Sequence, residues 1–575
     1  MTSDTEDTTG DGDAGEGTAR LRRMAASPLL QNLSGTARSA YEVGSGTARA
    51  AVALTRSGVV RPLGPGRLYG VGRAFVRYGH SIAAAFAVGA ARHPYRLAVV
   101  DDDGVTTYAE LDERTDRLAL ALLDSGAGPD AAVGILCRNS RAPIEVMVAA
   151  GKAGADVVLV NTGLSAEQMR GVQSQQQLHT IVTDPAFLDI VPDGPRAVLT
   201  STPDRPRTAG DRVLDDLEVM IGRGGPGELP FRPGPAKHIV LTSGTTGTPK
   251  GARRPHPSSL APAASILSAI PLRAAEPVHI AAPLFHTWGN AGLLLASLHG
   301  ATIVLRRKFT PEGLLGAVAE RRCTTVFAVP VMLQRVLESG AEGWGSDHAP
   351  RIVAVSGSAL PAGQALEFMD RFGDCLYNLY GSTEVSWVSI ADPQDLRDAP
   401  GTAGRAPAGT TLLILDDDDR AAGPGVEGRV FVGNDLPFEG YTGGEEGLEE
   451  RDGLLGTGDV GHLDADGRLF LTGRADDMIV SGGENVHPGP VEDLIGGLDG
   501  VRECCVLGVD DDDYGQRLAA WVVLEPGADL SADAVRDRVK ADLAKFAVPR
   551  DVHFVDELPR NQTGKVLRTE LPGRS

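Results

Sequence analysis

The segment LTSGTTGTPKG at residues 241–251 is the most informative stretch of the chain. It directly follows an apolar run, His238–Leu241, that is predicted to be a strand. Its three glycines leave the backbone free to turn, so that backbone amides and hydroxyl groups can surround phosphate oxygens. The segment is not a Walker loop, because Lys250 follows Pro249 and precedes Gly251, and the GxxxxGK[ST] spacing is absent. The sequence therefore predicts a phosphate-binding loop of another kind, in which Lys250 supplies a cation.

A second glycine-rich segment, GPGVEG at 423–428, matches the GxGxxG pattern. It lies between two strand-like runs, Leu412–Leu415 and Val430–Val432, and no helical pattern follows it. A dinucleotide-binding segment needs a strand before it and a helix after it. We interpret the segment as a hairpin turn, and this interpretation removes the case for a dehydrogenase.

Strands and helices alternate from Arg96 onward. The predicted strands are Leu97–Asp101, Val133–Cys137, Val157–Val160 and Thr180–Thr183, and the helices between them include Tyr108–Ser125 and Pro143–Ala153. This alternation predicts an α/β fold with mainly parallel sheets. Beyond about Arg474 the pattern changes to a helix from Val491, strands at Arg502–Val509 and Leu518–Leu524, and a helix over Ser531–Phe546. It predicts a second, smaller α+β domain.

Composition excludes several classes of protein. The chain has 575 residues and a net charge of −21, from 55 Lys and Arg against 76 Asp and Glu. This balance argues against nucleic acid as a partner, because such binding needs a broad basic face. The five cysteines contain no CxxC and are interpreted as reduced thiols in the cytoplasm. The stretch His286–Leu305 is interrupted by polar residues and predicts a buried helix followed by a strand, not a membrane span.

The amino-terminal region divides by charge. Residues 1–20 carry six carboxylates and only Arg20, which predicts an acidic disordered tail and no signal peptide. Residues 21–80 carry nine Arg, no Lys and one carboxylate, Glu42. Two interpretations stay open for this Arg-rich extension. It is an interfacial helix that touches the inner face of an anionic membrane, or a basic arm that folds back on the acidic body.

Seven segments occur in an order that identifies a family. They are TSGTTGTPKG at 242–251, PLFHTWG at 283–289, SGSAL at 356–360, NLYGSTE at 378–384, TGD at 457–459, GRADDMIVSGGENVHP at 473–488 and PRNQTGKVLR at 559–568. From about residue 82 to its end the chain resembles the adenylate-forming superfamily, which holds acyl-CoA synthetases, adenylation domains and luciferases. It is most similar to bacterial fatty-acyl-CoA synthetases. The resemblance implies a large domain at 81–474 and a small mobile domain at 475–575.

The resemblance also implies a reaction in two steps. A carboxylate attacks the α-phosphate of ATP and releases pyrophosphate, and a thiol then attacks the acyl adenylate. Because both reactants of the first step are anions, catalysis is expected to depend on positioning and charge neutralisation. Lys565 matches the lysine that bridges the carboxylate and the α-phosphate. Glu384 matches the carboxylate that holds Mg²⁺, and Thr242 is a weaker second ligand.

Further roles follow from the same resemblance. Tyr380 would stack on adenine, Asp459 would accept hydrogen bonds from the ribose hydroxyls, and Arg474 would contact ribose or phosphate. Thr245 is expected to be a catalytic residue, and His286 resembles a gate between the acyl pocket and the active site. The predicted ATP-binding residues are Thr242, Ser243, Gly244, Thr245, Thr246, Gly247, Lys250, Gly357, Ser358, Ala359, Asn378, Tyr380, Gly381, Ser382, Thr383, Asp459, Arg474 and Lys565.

A hinge is implied at Asp476, where the small domain of this family pivots between two orientations. One presents Lys565 for adenylation. The other brings Ser481, Gly482, Gly483 and Glu484 to the site, where they would face the pantetheine arm of coenzyme A. Coenzyme A is the expected acceptor, since no GxDS carrier-protein motif occurs in the chain.

The acid is predicted to have an uncharged tail. A buried carboxylate would be needed to pair a substrate ammonium, and none occurs in the segment 285–288. Gly289, Ala291, Gly292, Leu293 and Leu294 suit an alkyl chain, but they equally suit a helix packed in a core. The expected activity is a long- or medium-chain fatty-acid–CoA ligase. Two alternatives are a ligase that loads a separate acyl-carrier protein, and a catalytically silent fatty-acid or nucleotide sensor.

Overall fold

The computed structural model describes residues 51–573, with gaps at 201–207, 210, 211, 214, 226, 235, 242–248, 253–258, 346, 417, 437, 439, 443–447, 476, 482, 483, 512–514, 544, 562 and 563. The acidic tail and the first part of the Arg-rich extension therefore lie outside the described residues. So do Thr242, Ser243, Gly244, Thr245, Thr246 and Gly247 of the predicted phosphate loop, the predicted hinge residue Asp476, and Gly482 and Gly483.

The first half of the chain alternates helices and strands, as the sequence predicts. After a helical segment at residues 51–56 the elements are α1 Pro65–Tyr78, α2 Ile82–Arg92, β1 Leu97–Asp101, β2 Gly104–Thr107, α3 Tyr108–Asp124, β3 Ala132–Leu136, α4 Arg141–Ala153, β4 Asp156–Leu159, α5 Ala166–Gln176, β5 Leu178–Thr183, a 3₁₀ segment Pro185–Ile190, β6 Arg196–Leu199, β7 Thr208–Ala209, β8 Arg212–Val213, β9 Asp215–Asp216, α6 Leu217–Arg223, β10 His238–Leu241 and β11 Gly251–Ala252.

The second half completes the large domain and adds the small one. Its elements are α7 Ala261–Leu267, β12 Val278–Ile280, α8 Thr287–Leu298, β13 Ile303–Val304, α9 Pro311–Arg321, β14 Thr325–Ala328, α10 Pro330–Glu338, β15 Ile352–Val355, α11 Ala362–Phe372, β16 Leu376–Tyr380, β17 Ser389–Ala391, α12 Pro393–Asp398, β18 Thr411–Leu415, β19 Gly428–Gly433, β20 Glu450–Arg451, β21 Leu454–Leu463, β22 Leu469–Arg474, β23 Ile479–Ser481, β24 Glu484–Val486, α13 Pro488–Gly496, β25 Val501–Asp511, β26 Gly515–Leu524, α14 Ala532–Asp542, a 3₁₀ turn Lys545–Ala547, β27 Asp551–Phe554 and a 3₁₀ turn Arg568–Glu570.

Two mainly parallel sheets form the body of the large domain. One has eight strands in the order β17-β16-β15-β14-β12-β13-β1-β2, and the other has seven in the order β11-β10-β4-β3-β5-β6-β9. All residues of β14 and β15 are buried, as expected for strands covered on both faces. Helix α4 is buried on all sides from Pro143 to Ala153, as expected of a helix in the middle of a core. These observations confirm the predicted α/β class.

The order of the strands positions the functional segments. β12, β14, β15 and β16 are parallel neighbours, so their carboxyl ends meet at one edge of the sheet. Ligands of open α/β sheets bind at this edge. The segments 283–289 and 356–360 follow β12 and β15, and the segment 378–384 begins within β16.

A third sheet in the large domain and a fourth in the small domain are mainly antiparallel. The third contains β18, β19, β20, β21 and β22, and the fourth contains β23 to β27. β18 pairs with β19 in antiparallel register, so the segment 423–428 belongs to the connection of a hairpin, as the sequence predicts, and its last residue begins β19. The third and fourth sheets are joined by residues 475–478.

Predicted and observed element bounds agree closely, with one clear exception. β1 and β10 have the predicted bounds, and the stretch 286–305 forms a buried helix followed by a strand. The predicted helix over Ser531–Phe546 is too long. Helix α14 ends at Asp542, because the backbone of Leu543 is extended and a 3₁₀ turn follows at Lys545–Ala547.

The described part of the Arg-rich extension packs on the large domain. Ala53 and Leu54 belong to the main hydrophobic core. The guanidinium of Arg92 donates a hydrogen bond to the carbonyl of Val59 at 3.0 Å, and that of Arg77 donates one to the carbonyl of Leu229 at 3.0 Å. Among the described helices, none has the length and apolar character needed to cross a membrane.

Candidate active site

A large cleft lies between the two domains and collects the predicted functional residues. Its volume of about 2210 Å³ exceeds the roughly 300–1,000 Å³ typical of a site for one small molecule, so it has room for more than one substrate. The predicted site residues that line it are Lys250, His286, Gly357, Ser358, Ala359, Asn378, Tyr380, Gly381, Ser382, Thr383, Glu384, Asp459, Arg474 and Lys565.

Tyr380 and Asp459 form one polar pair in this cleft. The hydroxyl of Tyr380, at the end of β16, donates a hydrogen bond to the Asp459 carboxylate on β21. Burial, with the Asp459 charge adding to it, raises the pKa of Tyr380 well above its ordinary value, so the phenol stays protonated and donates. β21 and β22 pair in a register that places Arg474 opposite Asp459, and their charged groups are 3.5 Å apart. A carboxylate held this way can still accept hydrogen bonds from a diol.

Glu384 is held by two hydroxyl groups. Ser382 Oγ donates to Glu384 Oε2 at 2.8 Å and itself accepts from the backbone amides of Glu384 and Val385. Tyr441 Oη donates to Glu384 Oε1 at 3.0 Å. Mg²⁺ usually takes one or two protein carboxylates beside phosphate oxygens and water, so a single oriented carboxylate at the cleft fits this ion. Among the described residues, no group of three or more His, Cys, Asp or Glu side chains is arranged to hold a metal ion by itself.

Tyr441 is a site residue that the sequence reasoning missed. Besides its bond to Glu384, its ring lies 5.7 Å from the Lys250 ammonium, within cation–π range. Thr442 fixes this position, because its hydroxyl and amide bond the backbone of Gly251. A Cβ at Gly251 would lie 2.7 Å from Thr442 Oγ1, so this close approach requires glycine. Tyr441 therefore contacts both Lys250 and Glu384.

Lys565 lies in the cleft wall contributed by the small domain. Its backbone amide donates to Asn561 Oδ1 at 3.0 Å, and its side chain is exposed. Gly564 has a φ of +82°, and a Cβ there would lie 2.4 Å from Val331 Cγ1 on α10. Glycine therefore lets the loop that carries Lys565 approach the large domain.

Polar contacts join the two domains beside this loop. Glu503 on β25 accepts hydrogen bonds from Gln334 of α10 at 2.8 Å and from Arg560 of its own domain at 2.6 Å. Arg502 lies 3.7 Å from Glu338. This arrangement places Lys565 and the nucleotide segments in one cleft.

His286 immediately precedes helix α8, as its N-cap residue, at one wall of the cleft. Its ring packs against that of Phe285, with centroids 4.6 Å apart, and burial lowers its pKa to about 4. The next residue, Thr287, lies with its hydroxyl 3.2 Å from that of Thr383. The amino end of α8 is therefore adjacent to the segment that carries Glu384. The assignment of His286 as a gate stays a prediction.

Of the residues predicted on the coenzyme A side, Ser481 ends β23 and Glu484 begins β24, and the two are paired. Within the described part of the chain, Ser481 is not among the residues that line the cleft. Its role in a second domain orientation stays a prediction.

The fold and this cleft define a two-domain enzyme that brings a nucleotide and a second substrate together between its domains. The chain belongs to the AMP-binding enzyme family, whose model matches residues 86–442, and the model of the AMP-binding enzyme C-terminal domain matches residues 490–565. This confirms the adenylate-forming superfamily. The chain is an AMP-forming acyl-CoA ligase that uses ATP, Mg²⁺ and coenzyme A.

Comparisons with individual proteins agree with this class. The chain is 31% identical over 485 residues to a feruloyl-CoA synthase of Amycolatopsis sp, covering 84% of this chain and 96% of the relative. It resembles the ATP-bound MatB structure from Rhodopseudomonas palustris with a TM-score of 0.76 and 26% identity, over 85% of this chain and 97% of that one. It also resembles o-succinylbenzoate CoA synthetase from Bacillus subtilis in complex with its acyl-adenylate intermediate, with a TM-score of 0.72, 25% identity and coverage of 85% and 97%.

Proposed function

We propose that this ligase activates a long- or medium-chain fatty acid and transfers it to coenzyme A. The observation that carries the proposal is the apolar arm of the cleft, defined here as its lining on α2, α7 and α8. The described residues of this lining are Ile82, Ala84, Ala85, Val88, Pro262, Ala263, Ile266, Thr287, Trp288, Asn290, Ala291, Leu294, Leu295 and Leu298. None of them is charged, so the arm suits an uncharged tail and disfavours a substrate ammonium.

The length of the arm supports a long tail. Cleft-lining residues run along α8 from Thr287 to Leu298, a span of about 16 Å at 1.5 Å per residue. An extended chain gains roughly 1.2 Å per bond, so the arm accommodates about a dozen bonds. Names of relatives point to smaller aromatic acids, feruloyl and o-succinylbenzoyl groups among them. An aromatic acid is therefore the second candidate substrate.

The adenylation step is assigned to residues from both domains. Lys565 would neutralise the acid carboxylate and the α-phosphate where they meet, and Glu384 would hold Mg²⁺, which supplies charge neutralisation at the phosphates. Lys250 would contact the phosphates beside Tyr441. Tyr380 and Asp459 would position the nucleoside, with Arg474 beside them. These roles agree with the contacts of the cleft and stay proposals.

Transfer to coenzyme A is assigned to a second orientation of the small domain, with a pivot at Asp476. There Ser481, Gly482, Gly483 and Glu484 would face the pantetheine arm. The four-residue linker at 475–478 supports this proposal, because a few residues that change φ and ψ suffice for a hinge.

Membrane contact is proposed for the outer face of α1. Leu68, Tyr69 and Val76 are 60%, 74% and 51% exposed, and Arg73 lies exposed among them. Residues 51–80 contain five Arg and no carboxylate. An exposed apolar face with basic residues is typical of helices that lie on anionic lipid. Phe75 of the same helix, two turns after Leu68, lines the cleft, which supports entry of the acid from that side.

One assay tests the function. The purified protein is incubated with ATP, Mg²⁺ and either straight-chain acids of graded length, ferulate or o-succinylbenzoate, and pyrophosphate release is followed with and without coenzyme A. We expect turnover that coenzyme A stimulates, greatest for the longer straight-chain acids. Greatest turnover with ferulate would favour the aromatic candidate. A stalled adenylate would favour a ligase for a carrier protein, and nucleotide or acid binding without pyrophosphate release would favour a silent sensor.

A further inference from the structure

The linker between β22 and β23 is fixed at two points, one on each domain. The amide of Ala475 donates a hydrogen bond to the carbonyl of Gly458, on β21 of the large domain, at 2.9 Å. The carboxylate of Asp477 lies 2.5 Å from the guanidinium of Arg568, in the small domain. The amide of Asp477 also donates to the carbonyl of Arg474 at 3.3 Å, a long bond that a pivot in the linker would break. One residue separates the two anchored residues, so a pivot between them is limited to the backbone bonds around that residue.

Arg568 directly follows the hairpin that carries Lys565. The amide of Leu567 donates to the carbonyl of Pro559 at 2.7 Å. Nearer the turn, the amide of Asn561 donates to the carbonyl of Lys565 at 2.9 Å. These bonds join the two arms of the hairpin, so the hairpin moves as one piece. Because Arg568 begins where this piece ends, the contact that holds Arg568 also sets the position from which Lys565 extends.

The ion pair of Arg568 with Asp477 is short and partly shielded from solvent. The two side chains are 32% and 30% exposed. Burial alone would lower the pKa of Arg568, but the charge of Asp477 and its hydrogen bond raise this pKa above its ordinary value, so the guanidinium stays charged. An ion pair of this exposure adds little to the free energy of unfolding. Its effect is therefore expected in the geometry that it fixes.

A second ion pair in the small domain provides a comparison. Arg536 and Asp533, both on α14, lie 2.7 Å apart, and Arg536 is 34% exposed. That pair joins two residues of one helix, three positions apart. The pair of Arg568 with Asp477 instead joins the linker to the segment that presents the lysine. Its location, not its strength, distinguishes it.

We propose that Arg568 is a positioning residue for adenylate formation. By holding Asp477, it confines the pivot to the bonds around residue 476 and fixes the point from which Lys565 reaches the cleft. The proposal rests on the proposed function, in which Lys565 neutralises the reacting anions and the small domain pivots at Asp476, and it deepens that function.

The first test changes the arginine and measures the two half-reactions separately, with whichever acid of the assay above gives the highest wild-type rate. In Arg568→Gln we expect adenylate formation, followed by pyrophosphate release, to fall by about tenfold, because a small misplacement of a catalytic group is costly. Thioester formation from the supplied acyl-AMP should change by less than about twofold, since that step does not need Lys565 in place. Arg568→Lys keeps the charge and should recover part of the rate.

Arg536→Gln is the matched control, because it removes the comparable ion pair on α14. It should leave both half-reactions unchanged. An equal loss of both half-reactions in Arg568→Gln would show a merely structural role and overturn the proposal. Unchanged adenylate formation in Arg568→Gln would overturn it as well.

The second test is a double-mutant cycle with Asp477→Asn, which keeps the volume of the side chain and removes its charge. If the two residues act through one contact, Asp477→Asn should also slow adenylate formation by about tenfold, and the double variant should be no slower than either single variant. Effects that multiply to about a hundredfold would show that Arg568 acts independently of Asp477, for instance by contacting a substrate in the cleft that it lines. That result would overturn the proposal.

Lys565→Ala, measured alongside, keeps the two conclusions apart. Loss of adenylate formation in Lys565→Ala together with wild-type rates in Arg568→Gln would overturn this proposal and leave the proposed function intact. Wild-type adenylate formation in Lys565→Ala would contradict the proposed role of the lysine, and with it the proposal for Arg568.

Discussion

The hydroxyl of Tyr441 donates a hydrogen bond to the carboxylate of Glu384 at 3.0 Å, while the ring of the same tyrosine lies 5.7 Å from the Lys250 ammonium. One side chain therefore contacts both the proposed metal carboxylate and the cation of the predicted phosphate loop. Thr442 bonds the backbone of Gly251 and fixes the tyrosine in place. The arrangement makes Tyr441 a positioning residue for two charged groups.

Tyr441→Phe removes the hydroxyl and keeps the ring. Hydrogen bonds to charged groups contribute about 1.5–3 kcal/mol, so we expect kcat/KM for ATP to fall by roughly ten- to a hundredfold. The Mg²⁺ concentration for half-maximal rate should rise, since the carboxylate loses its orientation. Tyr95→Phe, at a site 90% exposed, is the control. An unchanged Mg²⁺ dependence in Tyr441→Phe would remove the link to Glu384.

Lys565→Ala should separate the two half-reactions. Removing a charge that stabilises the transition state costs about 10²–10³-fold, so we expect adenylate formation to be lost to that extent. Thioester formation from supplied acyl-AMP should be largely retained, because we propose that this step uses the other orientation of the small domain. Lys308→Ala changes an exposed lysine elsewhere and should affect neither step. Equal loss of both half-reactions would contradict the two-orientation mechanism.

Gly564→Ala tests how the lysine is presented. The added Cβ would lie 2.4 Å from Val331 Cγ1, and the φ of +82° is strained for alanine. We expect adenylate formation to fall by about tenfold or more, with thioester formation from acyl-AMP less affected. Adding Val331→Ala removes Cγ1 but leaves Cβ of residue 331 at 2.8 Å, and the backbone strain also stays, so it should restore only a small part of the rate. Full activity in the single variant would show that this loop need not approach α10 during catalysis.

Acid should destabilise the large domain through its buried histidines. Burial lowers the pKa of His279, on β12, to about 4. Between pH 6.5 and that value the unfolded state binds the extra proton, so stability falls as pH decreases through this window. We expect the denaturant concentration at the unfolding midpoint to be lower at about pH 5 than at about pH 7. This decrease should be smaller in His279→Gln. The exposed His80 gives the control His80→Gln, which should keep the wild-type slope.

Membrane binding should depend on the outer face of α1. Replacing Leu68, Tyr69 and Val76 by serine is expected to lower sedimentation with anionic vesicles by about tenfold or more, with turnover of a dissolved acid retained. Val426→Ser changes a valine 49% exposed elsewhere and should leave sedimentation unchanged. Equal binding to neutral and anionic vesicles would contradict the role of the arginines. Unchanged sedimentation in the triple variant would contradict the proposal that this face of α1 binds the membrane.

Much of the site was predictable because its residues occupy continuous segments at strand ends. Tyr380 and Glu384 belong to the segment 378–384, which begins in β16. Because β15 and β16 are parallel neighbours, this segment lies beside the segment 356–360 that follows β15. Tyr441 was not predictable in this way. It reaches the site through pairing of Thr442 with Gly251, two residues 191 positions apart, and no local pattern encodes such a contact.

The residues of α8 show a second limit. The sequence left open whether this helix lines a pocket or packs in a core. The structure contains both arrangements on different faces, since Ala291 and Leu294 line the cleft whereas Leu293 is fully buried in the core. Composition alone does not assign a face when both sides of a helix are apolar.

The contacts of Gln334 with Glu503 and of Arg502 with Glu338 join the two domains and have a consequence for the proposed change of domain orientation. Each of these polar side chains can exchange its partner for water, so these particular contacts cost little to break. Under the proposed mechanism, solvent can replace these bonds each time the small domain changes its orientation. An apolar interface between the domains at the same place would oppose the proposed change of orientation.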